Sequence, residues 1–444
     1  MAEQIAAVAA GGPSAGRAQG FGGLLRSRRV RERGLLLLRV AALVAAVAGV
    51  LDFVVAPLQG RFAGQFEDFQ DYFAAARALS RHTDIYTTFL NHVQPIPVQG
   101  FDYPPVIAWV LQPLTWLPAG NIATLWLMVL VACSIAGTAI IAYELLPAAW
   151  PRLELTVLGS FLYAPVTYNL WHGQMSAVVF LFLALALRSW LHGRQVSLGV
   201  FIGIAACIKL APVLLVVLLI RRRWWRACAA LVITLAVGVG VSVIAVGIGT
   251  VREYVAKVLP VLAWQNGWVY NQSVAGALNR LADHSVLAFQ PSAVWISVVT
   301  AILALAAIGV AAVLVAPGDR TRPERGAQFA VGILAMLLAG SVTWFWHLGA
   351  LLIVLAAVAG LVASGVRRPR PLAGTSIAVV VTTGLLAPLL IASASMVELG
   401  TLSHSWSWWL DLQLISAPAL SMAALFIVLA RELRMPTSGQ NLTV

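Results

Sequence analysis

Three carboxylates stand close together in the stretch FEDFQDYFAAARAL, directly after the first long apolar segment. They are Glu67, Asp68 and Asp71, in a chain that has only 17 acidic residues among 444. A carboxylate held beside a hydroxyl can take its proton as a general base. Glu67 and Asp68 could instead cap the N-terminus of a helix and complement its dipole. On the residues alone, both interpretations stay open.

Two basic residues interrupt apolar segments. Lys209, within GIAACIKLAP, lies inside a segment that is otherwise long enough to cross a membrane. A lysine in this position normally faces a cavity or a partner, so it indicates a functional site. Pro212 follows and predicts a broken helix that lines the site. His347, within SVTWFWHL, fits either an interfacial residue or a ligand.

A third polar cluster lies in the stretch YNQSVAGALNRL. Asn271, Gln272 and Ser273 precede Arg280 by one to two helical turns. These side chains suit sugar hydroxyls or a phosphate, but they equally suit the cap of a surface helix.

Together these residues indicate transfer chemistry. A carboxylate could activate a hydroxyl, while Lys209, His347 and Arg280 stabilise a departing phosphate. The sequence contains no phosphate loop, dinucleotide fingerprint or metal-ligand cluster, so it does not support a soluble nucleotide donor. A lysine inside the membrane favours a donor whose phosphate is carried on a lipid.

The composition places these residues in a polytopic helical membrane protein. The chain is 60% hydrophobic and 10% charged, with a mean hydropathy of +0.88, whereas soluble domains carry about 25% charged residues. Runs of about 20 apolar residues suffice to cross the hydrocarbon core as helices. We predict about twelve spans, at 35–56, 104–118, 121–146, 153–170, 174–190, 197–220, 226–249, 291–316, 327–342, 346–364, 373–395 and 415–431.

The net charge of +12 is explained by topology rather than by nucleic acid. Basic residues cluster in short loops at span ends, as the positive-inside rule requires. These clusters, which we place in the cytoplasm, are Arg26, Arg28, Arg29, Arg31 and Arg33; Arg221, Arg222, Arg223 and Arg226; Arg320, Arg322 and Arg325; Arg367, Arg368 and Arg370; Arg431 and Arg434.

The predicted organisation is a disordered basic tail (1–34), a transmembrane domain (35–431) and a second cytoplasmic tail (432–444). The external loops are 57–103 and 250–290, with amphipathic helices. A further external stretch, 396–414, contains Trp406, Trp408 and Trp409, which are typical of an interfacial aromatic belt. The short segment 104–118 could be re-entrant, so the sides of the loops at 147–152, 171–173 and 191–196 stay open.

Five motifs in order resemble the polyprenol-phosphate-sugar-dependent glycosyltransferases of family GT87, which have a GT-C fold. DFQDYFAAARAL, DIY and FDYPPV resemble the opening of the family. NLWHGQMSAVVFLFLALAL, GVFIGIAACIKLAPVLLVVLL and NQSVAGALNRL are similar to its later segments. TWFWHL resembles its S-W-x-H-H segment, except that Trp346 stands where the first histidine is usual. The resemblance covers about residues 35–365.

The resemblance implies roles for these residues. Asp68 matches the catalytic aspartate, whereas Lys209 and His347, together with Arg280, match a site for the donor phosphate. The residues expected to contact the sugar or the acceptor are Glu67, Asp71, Tyr72, Tyr103, Gln174, Asn271, Gln272, Ser273 and Trp344.

The implied activity is an inverting, metal-independent transfer of mannose from polyprenyl-phosphate mannose, as in actinobacterial α-1,2-mannosyltransferases. The acceptor would be a phosphatidylinositol mannoside or lipoglycan, at the outer (periplasmic) face of the plasma membrane. We expect no cofactor and no nucleic-acid partner, and a monomer among membrane lipids with both termini in the cytoplasm.

Two alternatives stay open. One is an arabinofuranosyltransferase that uses polyprenyl-phosphate arabinose. The other is a transporter or flippase in which Lys209 and Asp68 are coupling charges. Against transport, the sequence shows no repeated halves, and its carboxylates lie in a loop.

Overall fold

A computed structural model of the chain describes residues 28–62, 66–91, 100–264, 266–283, 293–315, 320–365, 369–398 and 416–434. Regular structure within these ranges is entirely helical, apart from an isolated antiparallel bridge between Asn271 and Trp344. The three tryptophans of the predicted belt and most of both predicted tails lie outside these ranges.

The α-helices follow one another with short connections. In chain order they are α1 (Arg28–Val50), α2 (Ala56–Leu58), α3 (Glu67–Ser80), α4 (Thr87–Asn91), α5 (Val106–Leu111), α6 (Ala119–Leu145), α7 (Arg152–Phe161), α8 (Ala164–His172), α9 (Ser176–Leu191), α10 (Gln195–Ile208), α11 (Val216–Arg221), α12 (Trp225–Glu253), α13 (Leu259–Leu262), α14 (Val274–Asp283), α15 (Val294–Leu314), α16 (Arg322–Ala339), α17 (Leu351–Ala363), α18 (Pro369–Val381), α19 (Ala387–Glu398) and α20 (Ala417–Arg434). Short 3₁₀ segments occupy Gln112–Trp116, Ala211–Leu215 and Phe345–Ala350, and π-helical segments occupy Leu51–Val55, Tyr254–Val258 and Thr382–Leu386.

The helical class predicted from the sequence is confirmed for the residues that the structure describes, and these residues include helices suited to crossing a membrane. Six stretches of the described chain are long and apolar enough to cross a membrane, namely Glu32–Leu58, Gly120–Leu145, Trp225–Leu262, Val294–Leu314, Phe345–Ala363 and Pro369–Ala392. Each overlaps a predicted span, but Trp225–Leu262 continues beyond 226–249 into the predicted external loop 250–290. The predicted spans at 327–342 and 415–431 coincide with α16 and α20, which carry charged residues at one end. α1 begins at Arg28, inside the predicted tail.

The segment 104–118 is too short to cross. Its helical part covers Val106–Trp116, which spans at most about 20 Å, against about 30 Å of hydrocarbon. Pro104 and Pro105 precede the helical part and Pro113 lies within it. They limit the length of the helix, because a proline cannot donate the helical hydrogen bond.

The helix break predicted at Lys209 is confirmed. α10 ends one residue earlier, and Lys209 is extended (φ −136°, ψ 126°). Pro212 then lies at the start of the following 3₁₀ segment.

The predicted span at 197–220 is wrong as a single crossing, because the chain turns back at Lys209. The Lys209 ammonium contacts Ser176 at the start of α9 (2.9 Å). The ring of Trp224, after α11, has its centroid 4.9 Å from that of Trp190, at the end of α9. Both ends of this segment therefore lie at one end of α9, and Lys209 occupies the tip of a helical hairpin.

Close backbone approach fixes this hairpin against α12. A Cβ atom on Gly199 of α10 would lie 2.1 Å from the carbonyl oxygen of Ala227, and one on Gly203 would lie 2.6 Å from Thr234. Small residues four apart allow this kind of helix contact in membranes.

Glu144, in the last turn of α6, joins three elements at the end of the molecule opposite Lys209. Its carboxylate contacts Arg188 (3.3 Å), His192 (3.2 Å) and Arg322. The loops after α6 and α9 therefore lie at the same end as the basic linker before α16. The loop 171–173 lies at the other end, beside α3. This arrangement is the one expected if 104–118 does not cross.

Candidate active site

A strained backbone position begins the helix that presents Asp68. Phe66 adopts the left-handed conformation (φ 57°, ψ 34°) as the N-cap of α3, which is rare for a bulky residue and costs free energy. Its N–H donates to the carbonyl of Trp171 (3.2 Å), and its ring packs on Phe69. The N-cap residue makes no side-chain hydrogen bond to the helix. Glu67 and Asp68 lie in the first turn, where a negative charge complements the helix dipole.

α3 is an amphipathic helix in the first predicted external loop, as expected, and its apolar face packs against protein. Phe69, Tyr72, Phe73 and Ala76 are buried, whereas Gln70 and Arg77 are exposed. Phe69 and Tyr72 both contact the ring of Trp126 on α6, with centroids 6.3 Å apart. The helix is therefore anchored to the transmembrane core.

Gln174 lies at the centre of the polar network. Its side-chain oxygen accepts hydrogen bonds from the hydroxyl of Tyr103 (2.8 Å) and from the ammonium of Lys209 (3.1 Å). The hydroxyl of Tyr72 donates to that of Tyr103 (3.0 Å) and lies 3.2 Å from the same amide oxygen. Because these donors identify the oxygen, the amide nitrogen is the group that donates to the side chain of Asp68. Gln174 is 3% exposed and thus links Asp68 to Lys209.

The turn that carries Gln174 is shaped by two residues before it. Gly173 ends α8 in the left-handed conformation (φ 70°), where a Cβ would lie 2.9 Å from the ring of Phe66 and 2.9 Å from the Cβ of Phe69. The Asn169 side chain, with its amide oriented to satisfy both partners, donates to the backbone oxygen of Gln174 and accepts from the N–H of Ala177 (both 2.6 Å). The turn therefore fixes Gln174 before substrate arrives.

Lys209 has an acceptor for each N–H of its ammonium group. Besides Gln174, it contacts the hydroxyl of Ser176 (2.9 Å) and Nε2 of His347 (2.8 Å). Its nitrogen also lies 5.4 Å from the ring centroid of Tyr103. His347 accepts through Nε2, so its neutral ring carries the proton on Nδ1. The prediction that Lys209 faces polar partners is confirmed.

Asp102 is a site residue that sequence reasoning missed. It precedes Tyr103 in FDYPPV and lies close enough to Lys209, Asp68 and Asp71 for mutual electrostatic effects. Burial raises the pKa of Asp102 to about 6; Lys209 opposes this shift and Asp71 adds to it. Its position beside the predicted residue Tyr103 was the only signal in the sequence.

Asp68 holds its proton unusually strongly. Burial raises its pKa to about 8, the hydrogen bond from Gln174 and the charge of Lys209 act in the opposite direction, and Asp102 and Asp71 raise it further. A carboxyl with a pKa near the working pH is matched to proton transfer.

The other two carboxylates of the cluster lie outside this network. Asp71 accepts a hydrogen bond from the N–H of Gly100 (3.0 Å), which attaches α3 to the segment that leads to Asp102. The side chain of Glu67 is exposed. Their expected contacts with sugar or acceptor stay predictions.

Asn271, Gln272 and Ser273 are fully buried and bond within the protein. Asn271 donates to the carbonyl of Asn266 (2.9 Å) and accepts from the N–H groups of Ser273 (3.1 Å) and Thr343 (3.0 Å). Gln272 donates to the carbonyl of Val269 (2.6 Å), and the Ser273 hydroxyl to that of Ser341 (3.1 Å). These bonds attach the loop before α14 to the segment that carries His347.

Arg280 is also fully buried and stabilises the same loop. Its Nη1 donates to the carbonyls of Asn271 (2.7 Å), Trp268 (3.1 Å) and Gly267 (3.4 Å), and its Nε to the hydroxyl of Ser416 (3.4 Å). Binding of phosphate by Arg280 and of sugar by the three residues before it stay predictions; the structure gives each of them an internal structural role.

A small, largely apolar cleft of about 60 Å³ begins at Lys209. Lys209, Trp346 and His347 contribute its polar groups, together with Ser134, Asn169, Ser176 and Thr343. Its apolar lining includes Val179, Phe180, Leu183, Met336 and Leu337, from α9 and α16. Arg280 and the three loop residues are not among the described residues that line it.

Aromatic rings cover the same region. Trp344 packs on Trp268 (centroids 5.5 Å apart) and on Trp346 (5.9 Å), and Trp346 continues to His172 (5.3 Å) and Tyr270 (5.7 Å). The predicted sugar-contact residue Trp344 is therefore part of a continuous aromatic group beside His347.

Comparison with known proteins gives one family match and two curated relatives. The model of Glycosyltransferase family 87 matches residues 101–341, more than half of the chain. That range contains Asp102, Gln174 and Lys209 but neither Asp68 nor His347.

Both relatives are named polyprenol-phosphate-mannose-dependent alpha-(1-2)-phosphatidylinositol pentamannoside mannosyltransferase. The protein of Mycolicibacterium smegmatis is 29% identical over 260 residues, which cover 55% of this chain and 60% of the relative. The protein of Mycobacterium tuberculosis is 28% identical over 295 residues, which cover 64% of this chain and 63% of the relative. The chain thus matches less than two thirds of the length of either relative.

The internal bonding of Asn271 generates a stability prediction. Asn271→Ala should leave its buried partners unpaired, at a cost of about 1–3 kcal/mol each, and should lower the melting temperature of the detergent-purified protein by several degrees. Asn121→Ala, at an exposed site, should change it by less than a degree. An unchanged melting temperature for Asn271→Ala would contradict the structural role.

Proposed function

The chain belongs to glycosyltransferase family 87, and from that premise we propose that it transfers mannose from a polyprenyl-phosphate mannose to a glycolipid. The observation that carries this proposal is the chain of contacts from Asp68 through Gln174 to Lys209. It brings a proton acceptor and a fixed positive charge into one site, as such a transfer requires.

The proposed reaction is a single displacement with inversion. Asp68 takes the proton of an acceptor hydroxyl as the hydroxyl oxygen bonds to the anomeric carbon of mannose. The bond from that carbon to the phosphate oxygen breaks, and its electron pair leaves with the polyprenyl phosphate. A β-linked donor would thus give an α-linked product.

Lys209 is proposed to stabilise the charge that develops on the phosphate. A preorganised positive charge in a buried site acts more strongly than it would in water. His347 would orient Lys209 and offer its Nδ1–H to the donor. Tyr72 and Tyr103 fix the position of Gln174, which bonds to both Lys209 and Asp68. We therefore propose that the two tyrosines are positioning residues that set the distance between the lysine and the base. We propose that Lys209, rather than a metal ion or cofactor, neutralises the negative charge of the departing phosphate.

The cleft beside Lys209 suits the lipid of the donor. A polyprenyl phosphate has one charged end and a long apolar chain, and the cleft has the same distribution: Lys209 and His347 at one end, and apolar side chains of α9 and α16 along its length. Binding of the chain there would place the phosphate at Lys209.

We propose a GT-C fold with the site at the outer face of the plasma membrane. The basic residues near Trp224 and the linker that contains Arg322 lie at the end opposite Lys209. The positive-inside rule assigns that end to the cytoplasm, so Asp68 faces outward and both termini face inward. The segments 104–118 and 197–220 were counted among the twelve predicted spans, and we propose that neither crosses. Removal of two spans leaves an even number, so both termini stay on the same side of the membrane.

The names of the two relatives favour mannose over arabinose, and a phosphatidylinositol mannoside as acceptor. We propose that the chain acts as a monomer on these membrane lipids. Arabinose transfer and transport stay as alternatives, and the following experiment separates them.

Asp68→Asn should reduce mannose transfer at least a hundredfold, because an amide cannot act as the general base. The assay uses purified protein, polyprenyl-phosphate mannose and phosphatidylinositol mannosides, with polyprenyl-phosphate arabinose in parallel. Asp84→Asn makes the same chemical change at an exposed carboxylate outside the site and should retain most of the activity.

Transfer of arabinose alone would be compatible with the proposed mechanism but would contradict mannose as the transferred sugar. Transfer of neither sugar to any acceptor lipid would instead support transport. Equal losses in both variants would contradict the role of Asp68.

The raised pKa of Asp68 predicts the pH dependence. Because the base must be deprotonated, kcat/KM should increase with pH and level off above an apparent pKa of about 8. Asp102→Asn should shift this pKa downward, because the charge of Asp102 is one of the factors that raise it.

Asp84→Asn, at an exposed site, provides the control and should not move the profile. A profile that falls between pH 6 and 8, or an upward shift in Asp102→Asn, would contradict the assignment.

A further inference from the structure

Trp346 is a buried hydrogen-bond donor beside the proposed phosphate site. The residue is 7% exposed, and its indole Nε1 has no acceptor among the residues that the structure describes. It lines the same cleft as Lys209 and His347. Buried N–H groups are nearly always paired, so an unpaired one at a cleft indicates a ligand that supplies the acceptor.

The ring of Trp346 is held by its neighbours. It packs between His172, Tyr270 and Trp344, with centroids 5.3, 5.7 and 5.9 Å away. These contacts limit its rotation, so the N–H has a fixed direction. An indole can only donate a hydrogen bond, which makes an oxygen with free lone pairs its natural partner.

The hydrogen bonds of Lys209 explain why a further donor is needed. Its three N–H groups already point to Gln174, Ser176 and His347. Lys209 therefore supplies charge to a bound phosphate, but a direct hydrogen bond from it would require one of these contacts to break. The N–H of Trp346 is available without such a loss.

We propose that the indole N–H of Trp346 donates a hydrogen bond to a phosphate oxygen of the lipid-linked donor. This inference rests on the proposed function. It also explains the departure from the family motif, where a histidine is usual at this position. A histidine would gain and lose charge near pH 6.5, whereas an indole keeps one neutral donor at every working pH.

The test is equilibrium binding of polyprenyl phosphate, which lacks the sugar, to the purified full chain. Trp346→Phe keeps an aromatic ring and removes the N–H, and should weaken binding about tenfold to a hundredfold, as expected for a hydrogen bond to a charged group. The kcat at saturating donor should change much less than the KM. Trp116→Phe, at a residue that is 87% exposed, should bind like the wild type.

A second variant protects the test against misfolding. Replacement of Trp346 by β-(3-benzothienyl)alanine keeps the shape of the indole and replaces N–H by sulfur. It should show the same loss of binding at an unchanged melting temperature.

Three results would overturn the inference. Unchanged binding of polyprenyl phosphate by both variants would do so while leaving the proposed function intact. A raised KM for polyprenyl-phosphate mannose with unchanged binding of polyprenyl phosphate would assign the N–H to the sugar instead. If the wild type binds no polyprenyl phosphate, the proposed function fails, and this inference fails with it.

Discussion

The buried ammonium of Lys209 is the constraint on which the rest of the site depends. A charge without partners in an apolar helix pair would be very costly, so other parts of the chain must bring acceptors to it. Gln174 comes from the turn before α9, Ser176 is the first residue of α9, and His347 comes from the 3₁₀ segment before α17. The same contacts that stabilise the charge also attach three separate segments to one point, and Gln174 extends the network to Asp68.

Several local features gain their meaning from this network. Phe66 accepts an unfavourable backbone conformation, and Gly173 a left-handed one, so that α3 and the turn before α9 can meet. The buried loop that contains Asn271 and Arg280 supports the segment of His347 from the other side. Strain and burial are thus concentrated around a site where carboxylates and a lysine must keep a defined spacing.

The sequence indicated which polar residues meet in the network better than it predicted the path of the chain. Scarce carboxylates and a lone lysine are unfavourable near a membrane, so their presence alone indicated Asp68 and Lys209. A largely apolar segment such as 197–220, however, suits a crossing helix and a hairpin equally well, and only contacts with both ends of α9 distinguish them. Asp102 was missed because a single carboxylate carries no pattern. The sequence could not show that Asn271 and Arg280 bond to backbone groups of their own loop, because an amide or guanidinium in that role looks the same in sequence as one that binds sugar or phosphate.

The central claim is that Lys209 and Asp68 act on opposite sides of one sugar–phosphate bond. The most direct measurement is a cryo-electron-microscopy structure of the protein with a phosphonate analogue of polyprenyl-phosphate mannose that cannot react. The account predicts the phosphonate within about 4 Å of Lys209, the lipid in the cleft between α9 and α16, and the anomeric carbon facing Asp68. A phosphonate bound at Arg280, or a sugar directed away from Asp68, would contradict it.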